Sequence, residues 1–460
     1  MARLFTYGFE EACTAGNGFG SGGIQPAVVT SPVRSGNFAG KFGFFGFAAG
    51  FNFSVPFGTG LLTGTYYFRF YLYLTQSLAQ TTTVWRVASD QGLGVTLFIQ
   101  TSNILQITDQ TGTLTGTTVL SLNQWHRIEV RLDLTTTATG NVQVLIDGAT
   151  EISASNRITT NNDFKNTIFG HSETILDGFY MDDIAINDNT GSAHNSWCGE
   201  GSVVLVYPSS DVSTQWTIGG SSPSATHFGG VADDKPGTGP SASSPDDGVT
   251  FNSTTADNLT DRLGISAASS IPSNALLKVM TATARVGITQ TATPVNYQTA
   301  VWDDLGTLHS SPTVNPYPTW AGSPEFITPM VTALLSVDLT GKTSAQLLSF
   351  DLGYKSVTLS GQPCEISAIW ASVEYLAPIV GTTTDGITTA AVSTSTWTGS
   401  VSSVGGVNVA ATAVAAIVGG PTVARPLTGG VLWSGYPHRG GPDGGRYLHG
   451  GPGGNAHRWT

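Results

Sequence analysis

Alternation of apolar and polar residues dominates the chain and is clearest between residues 122 and 152. Trp125, Arg127, Glu129 and Arg131 alternate with His126, Ile128, Val130 and Leu132. After a Thr/Gly-rich loop, Val142, Val144 and Ile146 alternate with polar neighbours. A period of two puts successive side chains on opposite faces, so both segments predict half-buried antiparallel strands. Asp147-Gly148 closes the second as a tight turn leading into a third strand near residues 150–152. Related patterns predict strands at 41–47, 66–74, 83–88, 95–99 and 104–108. The run TYYFRFYLYL at 65–74 carries aromatics on both faces, as a central strand buried on both sides would.

Further along, strands are expected near 203–207, 275–285, 300–302, 346–354 and 366–375, with a Pro-rich loop at 310–324. A short helix is expected at 326–337, because Thr328-Pro329 can start one and MVTALLSV is apolar at helical spacing. From residue 378 the chain is almost uncharged and rich in Ala, Gly, Ser and Thr, too poor in large apolar groups to fold alone. It reads as an extended assembly arm in which Val404, Val407 and Val409 suit strands added to a partner, and Trp433, Tyr436 and Arg439 suit contacts hinged on glycine. The expected organisation is all-β: a sandwich at 1–195, a second β-rich unit with a covering helix at 196–377, and the arm at 378–460.

Two resemblances narrow this picture. The Gln124-Trp125-His126 opening followed by strand, loop and a strand ending in Asp147-Gly148 resembles the central hairpin of concanavalin A-like, laminin-G-like jelly rolls. Phe9-Glu10-Glu11 and the closing GFYMDDIAIND at 178–188 are similar to other landmarks of those domains. The link through Asn187, Asp188, Thr190, Gly191 and Asn195 into a valine-rich strand resembles tailed-bacteriophage virion proteins, as does ASSIPSNALLKVMTATARVGITQ at 268–290. This implies a structural protein of the tail tip, tail fibre or head surface, assembled in the host cytoplasm and exposed on the particle. Its partners would be identical subunits, as a trimer or larger, and other virion proteins. The alternative is an adhesin or receptor-binding protein whose main role is recognition of host-surface glycan.

Charged residues make up 11% of the chain, against roughly a quarter in an average domain. Uncharged polar residues must therefore cover much of the surface, as suits packing against copies. A net charge of −12 argues against nucleic acid and anionic membranes as partners. No apolar run is long enough to span a bilayer, and no secretion signal is recognised in MARLFTYGFEEA. Cys13, Cys198 and Cys364 are odd in number and widely spaced, which predicts buried free thiols.

Candidate chemistry is sparse. The Glu-x-Asp-x-x-Glu pattern of related glucanases is absent, so no catalysis is expected. No cofactor is required, although Asp177, Asp183 and Asp188 could contribute to a calcium site of the kind laminin-G-like domains carry. Asp182 and Asp183, adjacent on one strand, should point to opposite faces, so only one can join it. His438, His449 and His457 are spaced too widely for a compact zinc site. For sugar stacking, the jelly-roll resemblance points to Trp85, Tyr71 and Tyr73.

Overall fold

The computed structural model describes residues 3–10, 26–43, 52–61, 64–89, 92–160, 164–170, 178–232, 249–266, 271–288, 295–313, 325–327, 335–377, 379–382 and 388–391. The protein is all-β. Residues up to Pro378 form one compact unit containing two sandwiches.

In the first sandwich, an eight-stranded antiparallel sheet runs in spatial order Ala149–Arg157, Gly140–Ile146, Trp125–Leu134, Gly64–Leu74, Phe179–Asp188, Ala39–Phe42 and Ala27–Val29, with Arg3–Tyr7 also on Phe179–Asp188. A six-stranded sheet faces it, ordered Asn52–Leu61, Phe164–Gly170, Thr82–Ser89, Gly92–Ile99, Ile104–Asp109 and Gly112–Val119. Gly64–Leu74 is the central strand its two-sided aromatic pattern predicts. Phe68 and Phe70 point inward, against Trp85 at 4.8 Å and Phe169 at 5.8 Å between ring centroids. Tyr67, Arg69, Tyr71 and Tyr73 therefore share the outer face.

The second sandwich packs a seven-stranded sheet on a five-stranded one, with a core that includes Trp216, Met280, Tyr297, Tyr354 and Ile369. Leu276–Ile288 and Cys364–Leu376 pair along almost their whole length. The helix expected at 326–337 is not formed where the structure describes that segment. Glu325–Ile327 and Leu335–Asp338 are strands on the free edge of Leu276–Ile288. Leu335 and Val337 are buried while Ser336 and Asp338 are not, which is period two. A strand edge offers backbone partners that an isolated turn of helix lacks, and pairing wins over helical spacing. The expected strand at 346–354 is instead a helical turn, Ser344–Leu347, started by the Thr343/Gln346 capping box, followed by the strand Asp351–Thr358.

The two sandwiches meet through the outer face of the eight-stranded sheet. Glu374 accepts from Arg3, Arg69 and Lys278 there, and Thr281 Oγ1 lies 3.2 Å from Thr6 Oγ1. Beyond Pro378, a two-stranded ladder, Ile379–Thr382 with Thr388–Ala391, belongs to a separate unit. Val404, Val407, Val409, Trp433, Tyr436 and Arg439 lie outside the described residues.

Candidate functional site

Over the central strands, the outer face of the eight-stranded sheet is covered row by row by residues 197–200. Pairing places Glu129 opposite Arg69, Arg127 opposite Tyr71 and Trp125 opposite Tyr73. Trp197 lies over Tyr67, with ring centroids 5.4 Å apart. In the next row Gly199 accepts from Arg69 at 3.1 Å through its carbonyl and donates to Glu129 at 2.7 Å through its N–H. Glu200 caps the row after that, accepting from the Tyr71 hydroxyl at 2.7 Å, Arg127 Nη1 at 2.8 Å and Arg34 Nη2 at 3.1 Å.

The cover of this segment stops at the following row. Trp125, Tyr73 and Tyr180 stand side by side on three adjacent strands. Their centroids are 5.2 Å apart for Trp125 and Tyr73, tilted at 51°, and 6.0 Å apart for Tyr73 and Tyr180, edge to face. Trp125 and Tyr73 are partly exposed, and Tyr180 is 8% exposed. The rings form a corrugated apolar strip about 7 Å along the strands from the Glu200 row. Such a strip can take the apolar face of a sugar ring while the neighbouring polar row receives its hydroxyls.

Of the three aromatics suggested by the sequence, only Tyr73 sits in this strip. Trp85 is fully buried against Phe68 in the core, so it is no ligand platform. Tyr71 is also sealed: the Arg34 guanidinium lies 3.4 Å from its ring centroid, and its hydroxyl is given to Glu200. Burial raises the Tyr71 hydroxyl pKa well above its ordinary value, the adjacent Glu200 carboxylate adding to the rise. Trp125 and Tyr180 were not anticipated. One signal was present, since Trp125 lies on the polar side of its alternating strand together with Arg127, Glu129 and Arg131.

The aspartates behave differently from expectation. Asp183 sits at a β-bulge with φ of 49°, so it and Asp182 do not alternate. Both carboxylates turn to the same loop. Asp182 accepts from the Arg34 N–H at 3.0 Å, and Asp183 accepts from Arg34 Nη1 and Ser35 Oγ, each at 2.6 Å. Asp188 caps Thr190 through its N–H at 2.9 Å and its hydroxyl at 2.7 Å. Asp177 lies outside the described residues, and the structure does not bring Asp183 and Asp188 together. Among the described residues, no group of three or more His, Cys, Asp or Glu could hold a metal ion. Cys198 and Cys364 are buried free thiols, while Cys13 is outside the described residues.

One more arrangement looks like chemistry. Ser121 Oγ lies 3.2 Å from His126 Nε2, and His126 Nδ1 lies 2.8 Å from Asp147 Oδ2. A nucleophile, base and orienting carboxylate would be spaced this way. However, the Ser121 backbone N–H donates to the same Nε2 at 3.1 Å. The lone pair that would take the serine proton is occupied, so His126 staples the loop to the Asp147-Gly148 turn.

Neither a protein-family model nor a curated protein sequence matches the chain. Solved structures do match in fold. An endo-β-1,4-glucuronan lyase from the fungus Trichoderma reesei is 17% identical, covering 42% of this chain and 97% of its own, with a TM-score of 0.33. The cellulose-induced protein Cip1 is 16% identical, with coverage of 43% and 99% and a TM-score of 0.32. The alginate lyase Aly36B is 13% identical, with coverage of 40% and 96% and a TM-score of 0.26. Likeness at this level bears on fold alone. The expectation of no catalysis is nevertheless withdrawn. These matches include polysaccharide lyases, and the missing Glu-x-Asp-x-x-Glu pattern bears on paired-carboxylate hydrolysis only.

Proposed function

We propose that this chain is a glycan-binding structural protein of a tailed-phage particle, with the Trp125–Tyr73–Tyr180 strip as its sugar contact and residues 378–460 as its assembly arm. The observation that carries the glycan reading is the strip itself. Aromatic rings stand side by side on three neighbouring strands, Trp125 and Tyr73 partly open, beside a polar row and just past the stretch of the central strands that residues 197–200 cover. Contiguous aromatic rings left partly open and rimmed by polar residues mark a ligand-binding surface. A single such site binds weakly, and copies held together by the arm would turn weak contacts into firm attachment.

The virion assignment rests on the sequence resemblance around Asn187–Asn195 and on the nearly charge-free arm. Two experiments test the reading. A glycan array probed with the full chain should give signals that Trp125→Ala and Tyr73→Ala remove, and the same glycans should be inspected for cleavage products. Light scattering should give a trimer or larger for the full chain and a monomer for one ending at Pro378. An array signal unaffected by both substitutions would displace the strip, and monomers in both cases would displace the arm.

A further inference from the structure

The row beside the aromatic strip is charged, and the distribution of its charges points to the class of sugar it receives. Each of its two guanidinium groups already has a buried carboxylate. Arg34 pairs with Asp183 at 2.6 Å, and Arg127 pairs with Glu129 at 3.0 Å, with the carboxylate side chains 0% and 2% exposed. The guanidinium side chains are themselves only 17% and 11% exposed. Arg34 is further occupied by the Gly201 carbonyl at 2.8 Å and by the face of Tyr71. Lys41, opposite Tyr180 on the next strand, is already engaged as well.

Glu200 differs. Its side chain is 56% exposed, although Arg34, Arg127 and the Tyr71 hydroxyl fix its position. The most exposed charge of this row is therefore a held carboxylate, while its two guanidinium groups are largely buried beneath it. A carboxylate in a fixed position accepts hydrogen bonds from hydroxyl donors and repels another carboxylate.

Resting on the reading that the strip binds glycan, we infer that its ligand is a neutral, hydroxyl-rich sugar whose hydroxyls donate to Glu200, and not a polyuronate. The aromatic strip supplies stacking energy that any pyranose can use. Glu200 supplies the discrimination, because an acidic sugar brought to this row meets the exposed carboxylate of Glu200 before the two guanidinium groups, which are already shared with Asp183 and Glu129.

The test is calorimetric titration of the full chain with hexasaccharides of neutral glucans and galactans and, separately, of alginate and glucuronan, at physiological salt. Neutral oligomers should bind at least about tenfold more tightly than acidic ones, a difference of about 1.4 kcal/mol. Glu200→Gln keeps the shape and removes the charge, so the neutral preference should shrink, with acidic oligomers gaining affinity. Tighter binding of alginate or glucuronan by the wild-type chain would overturn the neutral assignment and leave the strip standing, provided Trp125→Ala still abolishes that binding. A ratio unchanged by Glu200→Gln would remove Glu200 from recognition. Failure of every oligomer to bind folded protein would overturn the strip reading, and this inference with it.

Discussion

Arg69, in the middle of the central strand of the first sandwich, donates to Glu374 on the longest strand pair of the second, and both side chains are 0% exposed. Arg3 and Lys278 converge on the same carboxylate, Lys278 at 2.9 Å. The three cations share the two carboxylate oxygens of Glu374, which concentrates buried charge pairing at the junction on one side chain. Their field holds the Glu374 carboxyl well below the usual carboxylate range despite the opposing effect of burial.

Removing that carboxylate should strand buried cations. Glu374→Ala is expected to destabilise the chain by about 3–5 kcal/mol, and chemical denaturation should show both sandwiches losing stability together. A loss under about 1 kcal/mol would mean that the junction is not held this way.

A second expectation concerns pH. Burial raises the Glu10 carboxyl from 4.5 to about 7, even though the N–H groups of Asn37 and Phe38 donate to it and pull the other way. The carboxylate is lodged where a Cβ on Gly36, at φ of 66°, would otherwise stand. Between those pH values the folded chain keeps a proton that the unfolded chain has released. The contribution of Glu10 is thus fully present below pH 4.5 and is lost as pH rises through about 7. Its size is at most roughly 3 kcal/mol. The stability of wild type relative to Glu10→Gln, measured from acid to neutral pH, should fall across that window. A flat difference would refute the shift.

Two tryptophans should separate function from packing. Trp85→Ala empties a core site and should cost about 3–5 kcal/mol, lowering the melting temperature. Trp125→Ala should leave stability within about 1 kcal/mol of wild type and weaken sugar binding, a stacking partner being worth about 0.5–1.5 kcal/mol. If Trp125→Ala unfolds the chain, the strip is structural.

Thiol labelling offers a check on the core. Cys198 and Cys364 are enclosed, and burial pushes the Cys198 thiol up to about 11. Peptide-resolved alkylation should modify neither in the folded chain and both in denaturant. Rapid native labelling of Cys198 would show that the segment over Arg69 opens.

Alternation at Ile128, Val130 and Leu132 and at Val142, Val144 and Ile146 by itself determined the antiparallel hairpin, because a one-residue slip would carry every apolar group into water. The two-sided aromatics of 65–74 likewise placed that strand at the centre of its sheet. Tertiary structure alone decided what covered each face. Tyr71 and Tyr73 are two residues apart on one side of one strand, yet Arg34 and Glu200 seal the first and leave the second open. Arg34 lies 37 residues before Tyr71 and Glu200 129 residues after it, separations at which no local period operates. The bulge that turns Asp182 and Asp183 to one loop, and the strand edge that draws Leu335–Asp338 out of helical register, have the same origin: backbone and side-chain partners supplied by distant segments outweighed the local pattern.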